Sequence, residues 1–216
     1  MDQKLVVFDM DNTLILDRFI DVCAEQFKFQ QALSLLRHLD KNPVSLTQRI
    51  AKFLKDRRRA ELIEIADSIP LVPDIVDVVL ELKNRSYIIG IISDSYQLIT
   101  GIIAKKINAE FTMANELLLS EERVTGELNI PLYFQYSPDS VCRHSVCKTH
   151  ALKYICNVYQ SRPENCVVVG DSDNDVCMLK HAGLGIAFCT TSNLVRQSAA
   201  KHIDQRSFSE LLNFTP

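Results

Sequence analysis

Acidic and hydroxyl side chains recur in short clusters directly after apolar stretches of the sequence. The segment DMDNT (residues 9–13) follows KLVVF, and the segment SDS (residues 93–95) follows YIIGII. The most acidic segment, GDSDND (residues 170–175), follows CVVV. Carboxylates that lie close together repel one another unless they take up protons or bind a cation. Oxygen ligands favour a hard ion such as Mg²⁺, which proteins often bind together with substrate phosphate groups.

The apolar runs themselves have the pattern of strands in a parallel sheet. Residues 4–8, 87–92, 166–169 and 184–188 are continuously apolar, which is typical of strands buried on both faces. Helical patterns follow the last three runs, and this alternation predicts a mainly parallel sheet with right-handed crossovers. Ligands of such sheets bind outside the carboxyl ends of the strands. We therefore expect the acidic clusters to meet at one place.

A long helical segment separates the first two strand runs. Apolar residues recur at helical spacing over most of residues 14–71, and Pro70 and Pro73 mark the end of this pattern. The segment is too long for a simple crossover. We therefore predict an α/β fold with a three-layer, Rossmann-like core domain formed by residues 1–13 and 72–216. Residues 14–71 are predicted to form a small helical cap domain inserted after the first strand.

Other patterns predict where individual elements begin. Ser45 is predicted to cap a helix, and residues 93–95 are expected to form a turn before a helix that ends at residue 107. Residues 111–128 have the pattern of a strand followed by a short hairpin, while residues 129–146 are irregular. We expect an edge strand and a closing helix over residues 202–214.

The composition excludes some classes of partner. The net charge is −3, with 47% hydrophobic and 24% charged residues, which gives no electrostatic reason to expect a nucleic acid or an anionic membrane. No apolar run approaches the roughly 18 residues of a membrane span. The first apolar run is broken by Asp9 and Asp11, and no cleavage site of a signal peptide follows. We therefore expect a cytoplasmic protein without nucleic-acid or membrane partners.

Seven scattered cysteines indicate reduced thiols rather than a disulfide framework. Cys142, His144, Cys147 and His150 are spaced in a way that suggests a zinc site. Structural zinc sites usually separate two close ligand pairs by a longer stretch, whereas these four residues are crowded together. We therefore interpret the group as a coincidence in a cysteine-rich chain.

The order DMDNT, SDS, a lysine and GDSDND resembles the four motifs of the haloacid dehalogenase superfamily. The resemblance covers nearly the whole chain, and the helical segment after the first motif is similar to the cap of the phosphoserine phosphatase branch. DxDxT alone is moderately specific, but its combination with GDxxND at a strand end is strong. The resemblance implies a phosphatase that uses Mg²⁺ and acts on a small phosphorylated metabolite. The sequence does not indicate whether the protein is a monomer or a homodimer.

The resemblance also implies roles for individual side chains. Asp9 would attack phosphorus and form an aspartyl-phosphate, and Asp11 would protonate the leaving alcohol and then activate water. The carboxylates of Asp9 and Asp171 would bind Mg²⁺, together with the backbone carbonyl of Asp11. Asp175 would hold a water molecule bound to the metal.

Two further side chains are predicted to grip the phosphoryl oxygens. Ser93 is one, although it could instead cap the following helix. Lys148 is the other, and Lys153 is the alternative lysine for this role. Lys148 is preferred because it lies at the start of a predicted helix near the strand ends, whereas Lys153 lies inside that helix.

Four residues are predicted to bind the substrate. Asn174 would contact the phosphoryl group or the rest of the substrate, and Asp94 would either touch the substrate or cap a helix. Arg49 resembles a cap arginine that could bind a carboxylate through two hydrogen bonds. Arg18 stands where phosphoserine phosphatases have a glutamate that holds the substrate's ammonium group. We therefore expect a phosphomonoester other than phosphoserine, with a second anionic group for Arg18.

Two alternative functions follow from the same motifs. The first is a phosphotransferase that passes the phosphoryl group from Asp9 to an acceptor alcohol, and the motifs do not distinguish it from a hydrolase. The second is a non-catalytic protein that binds a phosphate ligand. Loss of Asp9, Asp11 or Asp171 would favour that alternative, but all three are present.

Overall fold

The structure, a computed structural model, describes residues 3–215. Its central feature is a sheet of seven strands over these residues, in the order β4-β3-β2-β1-β5-β6-β7. All neighbouring strands are parallel except β3 and β4, which form an antiparallel hairpin. The strands are β1 (Lys4–Phe8), β2 (Tyr87–Tyr96), β3 (Phe111–Ser120), β4 (Arg123–Asn129), β5 (Cys166–Gly170), β6 (Leu184–Phe188) and β7 (Lys201–Ile203).

Ten α-helices surround this sheet within residues 3–215, and the first four lie between β1 and the fifth helix. None of these helices is both long and apolar enough to cross a membrane. They are α1 (Phe19–Phe27), α2 (Gln30–Leu39), α3 (Pro43–Ala51), α4 (Arg59–Ser68), α5 (Ile75–Asn84), α6 (Gln97–Ile107), α7 (Lys148–Val158), α8 (Val176–His181), α9 (Asn193–Ser198) and α10 (Leu211–Phe214).

Strand β1 occupies the middle of the sheet and is buried on both faces. Val6 and Phe8 belong to one hydrophobic cluster, and Leu5 and Val7 belong to another. Successive side chains of a strand point to opposite faces, so the two clusters lie on opposite sides of the sheet. Helices α5 and α6 pack into the first cluster, and α7 and α8 pack into the second. This arrangement confirms the predicted three-layer α/β fold with a mainly parallel sheet.

The chain enters and leaves the segment of helices α1–α4 through two adjacent stretches of backbone. The Leu16 amide donates to the Pro70 carbonyl at 3.0 Å, and the Val72 amide donates to the Leu14 carbonyl at 2.9 Å. These two hydrogen bonds form a short antiparallel neck. The chain between Leu16 and Pro70 therefore leaves the core and returns to it through this neck.

The helical segment is also attached to the β3–β4 hairpin. The Asp56 amide donates to the Val124 carbonyl at 2.8 Å, and the Val124 amide donates to the Arg57 carbonyl at 2.9 Å. A third backbone hydrogen bond joins the Arg59 amide to the Glu122 carbonyl at 2.7 Å. The helices are therefore held to the core by hydrogen bonds in addition to the neck.

Strand β2 is longer than the sequence predicts. It continues through residues 93–96, where a turn is expected, because Tyr96 pairs with Asn115 of β3. The Asn115 side-chain amide also donates to the backbone carbonyl of Asp94 at 2.7 Å. Tyr96 is consequently the N-cap residue of α6. The alternative that Ser93 or Asp94 caps this helix is therefore wrong.

Asn42, rather than Ser45, caps α3. The Asn42 side-chain oxygen accepts a hydrogen bond from the Ser45 amide at 3.0 Å, and Pro43 occupies the first helical position, where its missing N–H costs nothing. The Ser45 hydroxyl instead donates to the Asp40 carboxylate at 2.7 Å. The prediction for Ser45 is wrong because the helix, with its cap, begins three residues earlier.

Candidate active site

A buried lysine joins two of the acidic clusters. Asp9 directly follows β1, and Lys148 is the first residue of α7. The Lys148 ammonium donates to a carboxylate oxygen of Asp9 at 2.6 Å and to one of Asp175 at 2.7 Å. The three side chains are at most 4% exposed. The competing lysine, Lys153, donates instead to the backbone carbonyl of Asp139, so the structure brings Lys148 and not Lys153 to Asp9.

The charge of Lys148 is stabilised by these partners. Burial lowers the pKa of Lys148, but the charges of Asp175 and Asp9 outweigh burial and raise that pKa well above its ordinary value. The lysine is therefore positively charged. It provides a cation between two carboxylates that would otherwise be buried without one.

The loop after β5 is organised around Asp175. One oxygen of its carboxylate accepts hydrogen bonds from the Ser172 amide and the Ser172 hydroxyl, both at 3.0 Å. The same oxygen accepts a weaker bond from the Asp171 amide at 3.2 Å. A Cβ atom at Gly170 would lie 2.6 Å from Asp175 Cγ, so this close approach requires glycine. Asp175 therefore fixes both the loop and Lys148.

The donor set near Asp9 fits a hard divalent cation. Carboxylate oxygens of Asp9, Asp171 and Asp175 lie within 4.8 Å of one another, and all are hard oxygen ligands. Burial raises the pKa of Asp9 well above its ordinary value despite the charge of Lys148, and burial and Asp175 raise the pKa of Asp171. The charges of Lys148 and Arg18 thus offset the three carboxylates only in part. A bound cation would supply the remaining charge and keep the carboxylates ionised.

Asp11 lies in a different environment from Asp9. One oxygen of its carboxylate accepts a hydrogen bond at 2.7 Å from the amide of Phe19, the first residue of α1. Burial raises the pKa of Asp11 to about 7, although this hydrogen bond opposes the shift. A carboxyl group with such a pKa can both give and accept a proton near neutral pH.

Ser93, Asp94 and Asn174 lie where the end of β2 meets the loop after β5. Ser93 is fully buried, and its hydroxyl oxygen accepts a hydrogen bond from the Ser95 amide at 3.1 Å. Asp94 and Asn174 are exposed, and the Asn174 side-chain amide donates to the Asp94 carboxylate at 2.7 Å. This bond connects the second and third acidic clusters across the end of β1, which lies between β2 and β5 in the sheet.

A cavity of about 500 Å³ lies between the strand ends and helices α1–α3. Its floor is polar, and the side formed by the helices is largely apolar. The floor includes Asp9, Asp11, Asp94, Lys148 and Asn174, and the helical side includes Ile20, Arg37, Pro43, Val44, Leu46, Thr47 and Ile50. A small molecule bound there would contact both the acidic clusters and the helical segment.

The structure separates the two arginines predicted to bind substrate. Arg18 lines the cavity, where burial lowers its pKa but the charges of Asp94 and Asp171 raise it by more. Arg49 does not line this cavity; its side chain is 51% exposed and pairs with Asp40 at 3.0 Å. The structure does not bring Arg49 to the cavity, because its position on α3 places the guanidinium against Asp40.

Sequence reasoning missed Arg37, which lines the cavity from α2. Its guanidinium donates to the Asp21 carboxylate of α1 at 2.6 Å. A single arginine on an amphipathic helix is ordinarily read as part of a solvated face. Only the packing of α2 over the strand ends reveals its place near the acidic clusters.

Known proteins share the sequence pattern of this chain. The model of haloacid dehalogenase-like hydrolases matches residues 3–183. Phosphoserine phosphatase of Methanocaldococcus jannaschii is 26% identical over 216 residues, which cover 98% of this chain and 97% of that protein. Phosphoserine phosphatase of Archaeoglobus fulgidus is 27% identical over 192 residues, covering 87% of this chain but only about half, 53%, of that protein.

A solved structure of a phospho-aspartyl intermediate analogue of phosphoserine phosphatase shares the fold. It has a TM-score of 0.84 and 24% sequence identity, and the match covers 100% of both chains. The family match extends over most of the sequence and includes all three acidic clusters. The chain therefore belongs to the haloacid dehalogenase-like hydrolase family, and it is similar to phosphoserine phosphatases in sequence and in fold.

Proposed function

We propose that this enzyme hydrolyses a small phosphomonoester through an aspartyl-phosphate formed on Asp9, with Mg²⁺ as its cofactor. The observation that carries the proposal is the placement of Asp9 at the floor of the cavity, 2.6 Å from the Lys148 ammonium. Asp9 is thereby held in a fixed position beside a positive charge. A carboxylate is an established nucleophile for forming covalent phosphoryl intermediates.

The proposed reaction has two balanced steps. In the first, an oxygen of Asp9 bonds to phosphorus while the ester P–O bond breaks, and Asp11 gives its proton to the departing alcohol oxygen. In the second, a water oxygen bonds to phosphorus while the bond between phosphorus and the Asp9 oxygen breaks, and the water gives a proton to Asp11. Inorganic phosphate is released and the Asp9 carboxylate is restored. The pKa of Asp11, raised to about 7, supports both proton transfers. Ser93 and Lys148 are proposed to hold the phosphoryl oxygens.

Mg²⁺ would be held by Asp9, Asp171 and the backbone carbonyl of Asp11. Asp175 is proposed to hold a water molecule bound to the metal, in addition to its observed bonds to Lys148 and the loop. An ion held by these residues would supply positive charge that offsets the charge on the transferring phosphoryl group. The crowding of three carboxylate oxygens within 4.8 Å supports this assignment.

Removal of divalent cations is expected to reduce phosphate release to background, because Asp9 and Asp171 would then be partly protonated or would repel the substrate. Dialysis into buffer without divalent cations, followed by stepwise addition of Mg²⁺, checks this through the rate of phosphate release. Recovery should saturate with Mg²⁺. An enzyme that keeps its full rate after the cations have been verifiably removed would contradict the proposed role of Mg²⁺.

Residues 14–71 are proposed to act as a cap domain over a core formed by residues 1–13 and 72–216. The neck between Leu14–Leu16 and residues 70–72 supports these boundaries. Helices α1–α3 form one wall of the cavity, so the cap would exclude water from the aspartyl-phosphate while the alcohol leaves. The hydrogen bonds to the β3–β4 hairpin would limit how far such a cap could open.

We propose a substrate with a second anionic group. Arg18 and Arg37 both line the cavity, and Arg18 lies near the acidic floor. A guanidinium group binds a carboxylate or phosphate with two parallel hydrogen bonds, and it repels an ammonium group. The relatives are named as phosphoserine phosphatases, so L-phosphoserine is the main rival substrate. Kinetics on a panel of phosphorylated metabolites test this, and a strong preference for L-phosphoserine over all others would contradict it.

Replacement of Arg18 by Gln is expected to raise the KM of the best dianionic substrate by about 10- to 100-fold, from loss of charged hydrogen bonds. The KM for p-nitrophenyl phosphate, which has no second anionic group, should change only a few-fold. Arg49→Gln is the matched control, because Arg49 lies outside the cavity lining. Equal losses on both substrates would show that Arg18 serves the shared phosphate chemistry instead.

The phosphotransferase alternative requires a separate measurement. Inorganic phosphate release should account for all substrate consumed, whether or not candidate acceptor alcohols are present. If an acceptor becomes phosphorylated and phosphate release falls in proportion, the enzyme is a transferase. The proposed first step on Asp9 is the same in both cases.

A further inference from the structure

The loop before α7 and the start of α8 bring together four metal-ligating side chains. The side-chain donor atoms of Cys142, His144, Cys147 and Cys177 all lie within 4.8 Å of one another. Nδ1 of His144 is 3.2 Å from the sulfur of Cys142. Three of the residues come from the loop and one from a distant part of the sequence, so the fold itself assembles the group.

We propose that Cys142, His144, Cys147 and Cys177 bind one Zn²⁺ in a closed structural site. Three thiolates and one imidazole are a ligand set that structural zinc sites use, in tetrahedral geometry. With Zn–S near 2.3 Å and Zn–N near 2.0 Å, neighbouring donor atoms of such a site lie roughly 3.5–3.8 Å apart. The observed separations require only small side-chain adjustments to reach this arrangement.

The structure also answers the objection raised by the sequence pattern. The fourth ligand is Cys177 of α8, and not His150, so the ligands are no longer crowded into one short segment. The His150 ring instead donates through Nε2 to the backbone carbonyl of His144 at 3.0 Å. His150 is buried, and this bond holds the loop that carries the exposed ligand His144.

The ligand chemistry distinguishes this site from the acidic one. Thiolates are soft ligands that select zinc over magnesium, whereas the carboxylates around Asp9 are hard oxygen ligands. Four protein ligands leave no open position on a tetrahedral ion, so the zinc would not take part in phosphate chemistry.

Zinc at this place would stabilise the wall of the active-site cavity. Cys147 directly precedes Lys148, and Cys177 lies two residues after Asp175. The ion would therefore cross-link α8 to the irregular loop right beside the Lys148–Asp175 ion pair. The ion would add a second attachment to a loop whose Tyr136 and Val141 side chains are exposed rather than packed in the core.

The test begins with zinc content. Protein expressed in zinc-supplemented medium and purified without chelators should contain about one Zn²⁺ per chain by mass spectrometry of the metal. Cys177→Ser and His144→Ala should each lower zinc affinity at least about tenfold. His144 is exposed, so its variant should fold even if Cys177→Ser does not. Cys189→Ser is the matched control, because this thiol lies outside the group, and it should keep the full zinc content.

Cobalt substitution provides the second readout. Co²⁺ in the wild-type protein should give a thiolate-to-cobalt charge-transfer band, which carboxylate ligands around Asp9 cannot produce. The band should be lost in Cys177→Ser and retained in Cys189→Ser. Folded wild-type protein without zinc and without this band would overturn the proposal. Unchanged zinc content in both ligand variants would overturn it too, as would a disulfide between the proposed ligands in the purified protein.

These outcomes are independent of the proposed phosphatase activity. An enzyme that contains no zinc but turns over normally would contradict the proposed zinc site and leave the proposed reaction standing. Protein that binds zinc and gives the cobalt band but hydrolyses no phosphate ester would support the zinc site and contradict the proposed reaction.

Discussion

Replacing Asp9 by Asn is expected to abolish turnover while the fold remains intact. Asn has nearly the same shape but lacks the anionic oxygen that attacks phosphorus, so the rate of phosphate release should fall by at least about 10⁴-fold. Lys148 keeps its 2.7 Å ion pair with Asp175, so the variant retains a counter-charge for the buried lysine. Phosphate release under saturating Mg²⁺ and the midpoint of thermal unfolding measure the two effects.

Asp17→Asn is the matched control for this variant. Asp17 is exposed and lies a short distance along the chain from Asp9, so the same chemical change there should leave the rate nearly unchanged. A substantial fraction of wild-type turnover in Asp9→Asn would contradict the nucleophile assignment, provided that the intact mass shows no conversion of Asn back to Asp.

The second large effect is expected for Lys148→Met. Methionine fills a similar volume but leaves the carboxylates of Asp9 and Asp175 buried without their shared cation. Removing one partner of a buried ion pair typically costs about 3–5 kcal/mol in the free energy of unfolding. Turnover should also fall sharply, because the group proposed to hold the phosphoryl oxygens is lost. Urea unfolding and phosphate release, both in the same buffer, measure these effects.

Lys153→Met is the matched control on the same helix. Lys153 contacts a backbone carbonyl rather than a carboxylate, so this variant should change stability by less than about 1 kcal/mol. The double variant Asp9→Asn/Lys148→Met removes one of the two unpaired carboxylates. It should therefore be less destabilised than the sum of its single variants. Strictly additive effects, or a larger effect at Lys153, would contradict the buried ion-pair network.

The parts of the fold that the sequence predicts well are those with strong local patterns. Residues 4–8 and 184–188 become strands with the predicted boundaries, because continuous apolar runs suit a strand buried on both faces. The meeting of the acidic clusters was predictable for a similar reason, since parallel strands end at the same side of a sheet.

Other features depend on packing between distant segments. The extension of β2 to Tyr96 depends on pairing with Asn115, which no local pattern shows. Whether Arg37 or Arg49 reaches the cavity depends on how α2 and α3 turn over the strand ends. Cys177 joins the cysteine group only because α8 packs against α7, so its role could not be recognised from spacing along the chain.

The most direct test of the account is to trap the phosphoryl group on the enzyme. The reaction with a phosphomonoester is quenched in acid during turnover, and borohydride then converts any aspartyl-phosphate to homoserine, which peptide mass spectrometry can locate. The expected result is homoserine at position 9 in the wild-type enzyme and none in Asp9→Asn. Modification of a different residue, or an unmodified position 9 in an enzyme shown to be turning over, would contradict the central claim.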